Sequence, residues 1–242
     1  GMMRSQIPSF RLPETVLDEE LDYILNMGVE CHFGEEISSL SKLLQAQFDA
    51  IFIGTGAPSG RWLKIPGHEE ASEHIDTGIN WLSNVTFKHV DFAPKRVVVL
   101  GGGNTAMDCC RTAKRLGASE VHVLVRSSFE DMKASPWEKE DALAEGITIT
   151  PNHTPKEYVL EDRKFTGVLF SKVASSYDPS GKRHLKETGE TLFVPCDQVL
   201  VAVGQDTAFP WIERDIGVSF NEWEQPILNK ASLQSTLDKV FF

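Results

Sequence analysis

Cysteine is scarce in this chain, and its placement excludes more than it permits. The 242 residues hold four, Cys31, Cys109, Cys110 and Cys196, and none forms a Cys-x-x-Cys pair. That rules out an iron–sulfur ligand set or a redox-active disulfide motif, and leaves buried thiols of a reducing compartment as the simplest reading. Basic residues are also in deficit: 24 Lys and Arg against 35 Asp and Glu give a net charge of −11. A phosphate-backbone partner such as DNA or RNA is therefore not expected. No apolar run approaches the roughly 18 residues needed to span a bilayer, and no leader pattern is visible. No membrane partner and a cytoplasmic location are the expectations. The seven histidines show no paired spacing for a metal or a catalytic triad, so no metal ligand and no catalytic side chain is named. With 41% hydrophobic and 24% charged residues, the composition is that of a globular protein of one large or two small domains.

What is present is a glycine-rich turn in a telling context. Residues 95–108 read Lys-Arg-Val-Val-Val-Leu-Gly-Gly-Gly-Asn-Thr-Ala-Met-Asp. A short β-branched run feeds a Gly-x-Gly-x-x-Ala turn at Gly101, Gly102, Gly103, Asn104 and Thr105, and helix-compatible sequence follows at once. Such a unit holds a dinucleotide pyrophosphate: a tight turn, close backbone approach, and a helix N-terminus aimed at the anion. The helix is expected from about Asn104 to Leu116, stopped by Gly117. The next apolar run, residues 121–125, ends in Arg126, where the ribose-reading residue belongs. A carboxylate there suits the 2′-hydroxyl of NAD, whereas a basic residue suits the 2′-phosphate of NADP. Arg126, with Ser127 and Ser128 as small donors and Lys133 within reach, favours NADPH over NADH.

Elsewhere the patterning predicts an extended segment over 1–13 and helices over 14–27 and 38–47. It predicts a short strand over 29–33 and a buried strand over 49–53 running into a second glycine turn at Gly54 and Gly56. That second turn has no clear helix after it and is either a chain crossing near a ligand or a simple tight turn. Residues 57–70 read as a linker and 71–83 as a helix with Ile75, Ile79 and Leu82 on its apolar face. Ser135, Pro136 and Glu138 form a capping-box signature for a helix ending near Gly146. The acidic runs 18–20 and 138–141 read as solvated helix faces. From Ile147 onward, short runs at 158–160, 168–170 and 192–194, separated by turns at 162–164 and 178–181, suggest an antiparallel meander. A last buried strand, 198–203, ends in Gly204, where glycine permits close approach to a ligand. One of the five tryptophans could stack on a flavin, with burial the commoner fate. Residues 240–242 read as a strand left unfinished, and the expectation is a piece excised from a longer protein.

Four segments together resemble the small (beta) subunit family of NADPH-dependent glutamate synthase, and are similar to the N-terminal flavoprotein part of dihydropyrimidine dehydrogenase. They are Ile7-Pro8-Ser9-Phe10-Arg11-Leu12-Pro13, residues 48–57, residues 101–108 and Val201-Ala202-Val203-Gly204-Gln205. The resemblance implies an α/β, two-dinucleotide-binding-domain flavoprotein fold, with a Rossmann-like NADPH domain inserted in a truncated FAD domain. Residues 1–90 would be a partial FAD-binding domain, 91–205 the NADPH domain with its meander, and 206–242 the return to the FAD domain. Hydride would pass from NADPH to FAD, and electrons onward through an iron–sulfur domain to an accepting partner subunit or domain. By match to the family pattern, Gly102, Gly103, Asn104 and Thr105 contact the NADPH pyrophosphate and ribose, and Arg126 and Lys133 hold the 2′-phosphate. Ala202, Val203 and Gly204 approach the nicotinamide, and Met2, Arg11 and Ile37 fall where the family contacts FAD. The family's first FAD-binding strand–glycine–helix unit, a Gly-Asp segment and the cysteine-rich cluster domain are not in these residues, so FAD is expected to be held weakly or not at all. Two other readings stand beside this one: an NADPH-binding module without turnover, and a reductase for another acceptor such as ferredoxin or a pyrimidine-reducing domain.

Overall fold

The β-branched run at 97–99 lies at the centre of a parallel sheet in the computed structural model, which describes residues 1–179 and 183–242. In chain order the elements are α1 (Met2–Ser5), α2 (Glu14–Leu25), α3 (Leu40–Gln45), β1 (Ile51–Phe52), β2 (Ser59–Gly60), a 3-10 turn (Ser72–His74), β3 (Ile75–Thr77) and α4 (Gly78–Thr86). Then follow β4 (Arg96–Leu100), α5 (Asn104–Arg115), β5 (Glu120–Leu124), α6 (Pro136–Ala144), β6 (Thr148–Thr150), β7 (His153–Glu161), β8 (Lys164–Tyr177), β9 (Arg183–Pro195), β10 (Gln198–Val201), β11 (Gln205–Asp206) and β12 (Val240–Phe241). Two compact units divide the chain: residues 1–14 with 60–204, and residues 15–59 with 205–242. No described helix is long and apolar enough to cross a membrane.

The first unit is built on a parallel sheet of order β3-β10-β4-β5-β6. β4 is buried on both faces, which is why its residues read as an unbroken apolar run. Val97 and Val99 face a core shared with Trp81, Met107, Cys109 and Cys110 on the helical side. Val98 and Leu100 face the other way, onto Tyr158, Val168, Phe170 and Val194 of the meander. The antiparallel sheet β7-β8-β9 forms where the short runs and turns suggested a meander, with Asp162 and Arg163 both at positive φ in the β7–β8 turn. The turn read at 178–181 extends outside the described residues. α5 ends with Leu116 as C-cap and Gly117 at φ +100°, and α6 with Glu145 as C-cap and Gly146 at φ +78°, both left-handed glycine stops.

Several local expectations are corrected. Residues 71–83 are not one helix: a 3-10 turn and β3 precede α4. Ile75 and Thr77 are buried and alternate about Asp76, and β10 supplies a parallel edge for them. A buried isoleucine serves either period, and the available edge selects the strand. Residues 29–33 make no strand, since Val29 and Phe33 remain exposed and no described strand pairs with them. Residues 2–5 form a single helical turn, closed by Gln6 N–H on the Met2 carbonyl, because Pro8 restrains itself and Ile7, both beyond that turn. Among the tryptophans only Trp81 is buried to the core, while Trp62, Trp137 and Trp223 are exposed.

In the second unit, β1 and β12 pair in parallel, Ile51 with Val240 and Phe52 with Phe241. The run at 240–242 is thus a paired strand. Ile51, Ile53 and Val240 share a core with Leu40, Phe209, Ile212 and Val218. Ser39 caps α3, its hydroxyl accepting from Lys42 N–H at 3.1 Å. α2 runs as its spacing predicts but buries none of its residues.

Phe170, fully buried between sheet and meander, and Phe193, 44% exposed on β9, offer a test of this layering. Phe170→Ala is expected to lower unfolding free energy by about 3–5 kcal/mol, and Phe193→Ala by roughly 1 kcal/mol or less, in urea denaturation.

Candidate functional site

The strand order reverses at β4: from it the chain proceeds to β5 and β6 on one side and returns as β10 on the other. In open α/β sheets the crevice at the carboxyl ends of such strands is where ligands bind. At that point Gly101 N–H donates to the Leu124 carbonyl at 3.1 Å and Ala202 N–H donates to the Leu100 carbonyl at 2.7 Å. Gly101 sits at φ +137°, and a Cβ there would fall 2.2 Å from the Ala202 carbonyl oxygen. Glycine is required on both counts.

Each following residue has a different task. A Cβ on Gly102 would lie 3.1 Å from Val125 Cγ1, and the Gly102 carbonyl accepts from Ala134 N–H at 2.9 Å. That bond ties the loop carrying Arg126, Ser127 and Lys133 to the glycine turn. Gly103 is the N-cap of α5, and a Cβ there would meet nothing within 4 Å. The backbone N–H groups of Gly102, Gly103, Asn104 and Thr105 have no acceptor among the described residues. These four amides stand at a helix N-terminus with open space at Gly103, where the helix dipole adds positive potential.

Asn104 is exposed and joins this N-terminus to that of α6: its Oδ1 accepts from Ser135 N–H at 2.9 Å and its Nδ2 reaches Ser135 Oγ at 3.4 Å. The capping box expected at α6 is not formed. Ser135 is the N-cap with Pro136 at N1, but its hydroxyl caps no backbone amide. Glu138 turns instead to two guanidiniums, Arg11 Nε at 2.7 Å and Arg111 Nη1 at 2.8 Å. Nor is 138–141 a solvated face throughout, since Glu138 and Lys139 are buried.

Arg126 and Lys133 are both exposed in the β5–α6 loop, and neither side chain has a hydrogen-bond or ion-pair partner among the described residues. Ser127 between them is buried, and its carbonyl accepts from Asn152 N–H at 2.9 Å. Ala202, Val203 and Gly204 leave the end of β10 beside Gly101. Gly204 has φ +134°, and its carbonyl accepts from Arg61 N–H at 3.1 Å. The fold therefore gathers Gly101–Thr105, Arg126, Ser127, Lys133 and Ala202–Gly204 at one end of one sheet.

The remaining named residues lie elsewhere. Met2 is in α1, which rests on α4. Arg11 straps the 7–13 segment onto α5 and α6: its Nη1 donates to both oxygens of Asp108, at 2.7 and 2.8 Å, and its Nε pairs with Glu138. Phe10 lies beneath the guanidiniums of Arg111 and Arg115, 4.9 and 4.1 Å from its ring centre. Arg111 also pairs with Asp141 at 3.1 Å and Glu145 at 3.0 Å. Burial raises the Asp108 carboxyl above its ordinary value, and the Arg11 guanidinium offsets this only in part. Burial likewise pushes Glu145 upward, but Arg115 and Arg111 together outweigh it and hold that carboxyl below the usual range. Sequence reasoning missed this network because charges on a helix carry no mark of which face is covered. Ile37 belongs to the second unit, beside a cavity of about 310 Å³ lined also by Leu43, Trp211 and residues 51–55. No described group of three or more His, Cys, Asp or Glu residues could hold a metal ion. Desolvation raises the buried Cys109 and Cys110 thiols, and the Cys196 thiol to about 12, so none is a thiolate near neutrality.

A family model described as pyridine nucleotide-disulphide oxidoreductase matches residues 9–242. The chain is 32% identical over 246 residues to the NADPH-Fe(3+) oxidoreductase subunit beta of Geobacter sulfurreducens, covering 99% of this chain and 36% of that protein. It is 32% identical to the NADP(+)-dependent formate dehydrogenase subunit beta of Moorella thermoacetica, covering 90% and 32%. It is 30% identical to the glutamate synthase [NADPH] small chain of Halomonas elongata, covering 100% and 54%. The chain thus spans about a third to a half of these relatives. Among solved structures, FprA from Mycobacterium tuberculosis superposes with a TM-score of 0.74 at 17% identity, over 97% of this chain and 67% of that one. FprA in complex with NADPH gives 0.70 at 18% identity, over 92% and 64%. The fold is the two-domain α/β flavoprotein oxidoreductase fold with Rossmann-like dinucleotide-binding architecture.

Removing the Arg11 guanidinium leaves Asp108, 7% exposed, without its countercharge. Arg11→Met is expected to cost about 3 kcal/mol at pH 7.5. A carboxyl with a raised folded pKa is tolerated when protonated and costly when ionised. The deficit should therefore shrink as pH falls towards the ordinary carboxylate range, which denaturant unfolding at pH 7.5 and 4.5 would read.

Proposed function

Since the chain belongs to the pyridine nucleotide-disulphide oxidoreductase family, we propose that its first unit is the NADPH-binding part of a flavin-dependent reductase that sends electrons on to a partner. One observation carries this reading: four amides at the β4–α5 turn, and the cations Arg126 and Lys133 on the loop bonded to that turn, none of which has a partner among the described residues. The amides of residues 102–105 suit the diphosphate of a dinucleotide. Gly103, with open space where a side chain would stand, lets that diphosphate reach the backbone. Arg126, at the end of β5, suits a phosphate on the adjoining ribose, with Lys133 and Ser127 in support. Ala202, Val203 and Gly204 would line the nicotinamide end, where a backbone without bulk lets the ring lie close.

Bound NADPH supplies a hydride from nicotinamide C4, and the residues named here contribute orientation and exclusion of water, with no side-chain acid or base required. For a flavin dinucleotide the second unit offers an apolar cavity beside Ile37, but β1 and its glycine turn at Gly54 and Gly56 lead into β2 and not into a helix. The described residues of that unit do not form a diphosphate grip, and no step is assigned through a flavin there. Met2 and Arg11 are retained as candidate flavin contacts on the family resemblance alone.

A glutamate synthase beta-subunit role is the finer form of this proposal. The three relatives differ by name in what they act on, iron(III), formate or glutamate synthesis, while matching the same stretch of sequence. We therefore assign the choice of acceptor, with any iron–sulfur domain, to sequence outside these residues. The competing reading is an NADPH-binding module without its own turnover. The absorption spectrum of the purified chain with and without NADPH separates the two: a flavin band bleached by NADPH marks a competent reductase part, whereas NADPH binding without a flavin band marks the module.

NADPH is expected to bind in the micromolar range, about −8 kcal/mol, and NADH more weakly. Arg126→Ala should cut the NADPH-over-NADH preference about tenfold, the loss of one charge-assisted phosphate contact. An unchanged ratio, measured by calorimetry, would discard the role given to Arg126.

A further inference from the structure

We propose that Arg183, on the meander, is a second fixed cation of the ribose-phosphate subsite and a determinant of NADPH over NADH. The proposal rests on the reading above that Arg126 faces the 2′-phosphate. Arg183 opens β9 and pairs with position 177 across the hairpin. Its Nη2 donates to the backbone carbonyl of Arg126 at 2.5 Å and to Ser175 Oγ at 2.7 Å, and its Nε donates to Ser175 Oγ at 3.0 Å. The guanidinium is thereby fixed on the residue assigned to ribose recognition.

The character of its partners is what singles it out. Both are neutral, and no carboxylate pairs with Arg183 among the described residues. Its neighbours on the hairpin behave otherwise: Lys172 pairs with Glu190 at 2.9 Å and His184 with Asp178 at 2.8 Å. In a chain of net charge −11, Arg126, Lys133 and Arg183 bring three positive charges to one sheet end. Neutral acceptors orient a guanidinium without cancelling its charge, and Nη1 keeps its two protons for another acceptor. A phosphomonoester dianion is the ligand chemistry this fits.

The anchorage behind Arg183 is equally firm. His153 N–H donates to the Val125 carbonyl and Asn152 N–H to the Ser127 carbonyl, each at 2.9 Å, and Val173 N–H donates to the Asn152 carbonyl at 2.8 Å. These bonds clamp β7 and β8 on the chain that leaves β5. The meander, otherwise a cover for one face of the sheet, thus delivers a charge to the cofactor side.

The test is calorimetric binding of NADPH, NADH, 2′,5′-ADP and 5′-AMP to the wild-type chain and to Arg183→Gln and Arg183→Lys. Glutamine places an amide donor about where Nε stands, so the Ser175 contact is kept while the charge and the Nη2 bond to the Arg126 carbonyl are lost. Arg183→Gln should weaken NADPH and 2′,5′-ADP about tenfold or more while leaving NADH and 5′-AMP within about twofold, and Arg183→Lys should recover part of the loss. Equal weakening of phosphorylated and unphosphorylated ligands, or no change in either, overturns the proposal and leaves Arg183 a strut of the hairpin. A wild-type chain that binds NADPH no better than NADH overturns the underlying reading of Arg126 instead.

Discussion

The whole arrangement depends on residue 101 having no side chain. β4 leaves the sheet beneath the carbonyl of Ala202, in a space that a Cβ would fill to within 2.2 Å of that oxygen, and at a φ that L side chains rarely adopt. Only with glycine there can the chain turn tightly enough to open α5 directly above the ends of β4 and β10. Both the unpartnered amides and the proximity of the Ala202–Gly204 segment follow from that turn. Gly102 then admits Val125 and the Ala134 bond, and Gly103 leaves the open face. Only at Gly101 does the fold itself demand glycine; at Gly102 a side chain would press on Val125, and at Gly103 it would stand in open space.

A second constraint holds α5 in place from behind. Arg11, Asp108, Glu138, Arg111 and Glu145 link the 7–13 segment, α5 and α6 into one network of charges, and Phe10 sits beneath two of its cations. Burial works against the Asp108 and Glu145 carboxylates. Such a network contributes less to net stability than its number of pairs implies, but it fixes geometry strongly, because displacing one member strands another in low dielectric. The 7–13 segment, one of the four that carried the family resemblance, thus supports the glycine turn by clamping the helix whose N-terminus forms it.

Much of this was legible in the residues alone, and what was not has a physical reason. The β4–α5–β5 unit was readable because its signals agree: a two-faced apolar run, glycines at fixed offsets, a stop at Gly117. The meander was readable from short apolar runs spaced by turn residues. The stretch 71–83 was not, since Ile75 satisfies either period and only the edge offered by β10 decides it. The Ser135–Glu138 signature located the start of α6 correctly, with Ser135 as N-cap and Pro136 at N1, but not the capping bonds, because Glu138 pairs with guanidiniums from Arg11 and from Arg111 of another helix. Arg183 left no trace, being remote from Arg126 in sequence and brought to it only by the docking of a hairpin. The common thread is that local periodicity is written along the chain, whereas the pairing of charges across elements is not.

The central claim is that the amides of residues 102–105 grip a dinucleotide diphosphate. Amide resonances of the isotopically labelled chain, followed while NADPH is added, test it most directly. The account requires the amides of Gly102, Gly103, Asn104 and Thr105 to shift downfield saturably and ahead of those on the far edge of the sheet at β6. If those four stay in place while NADPH binds, the dinucleotide lies elsewhere and the site described here is not its seat.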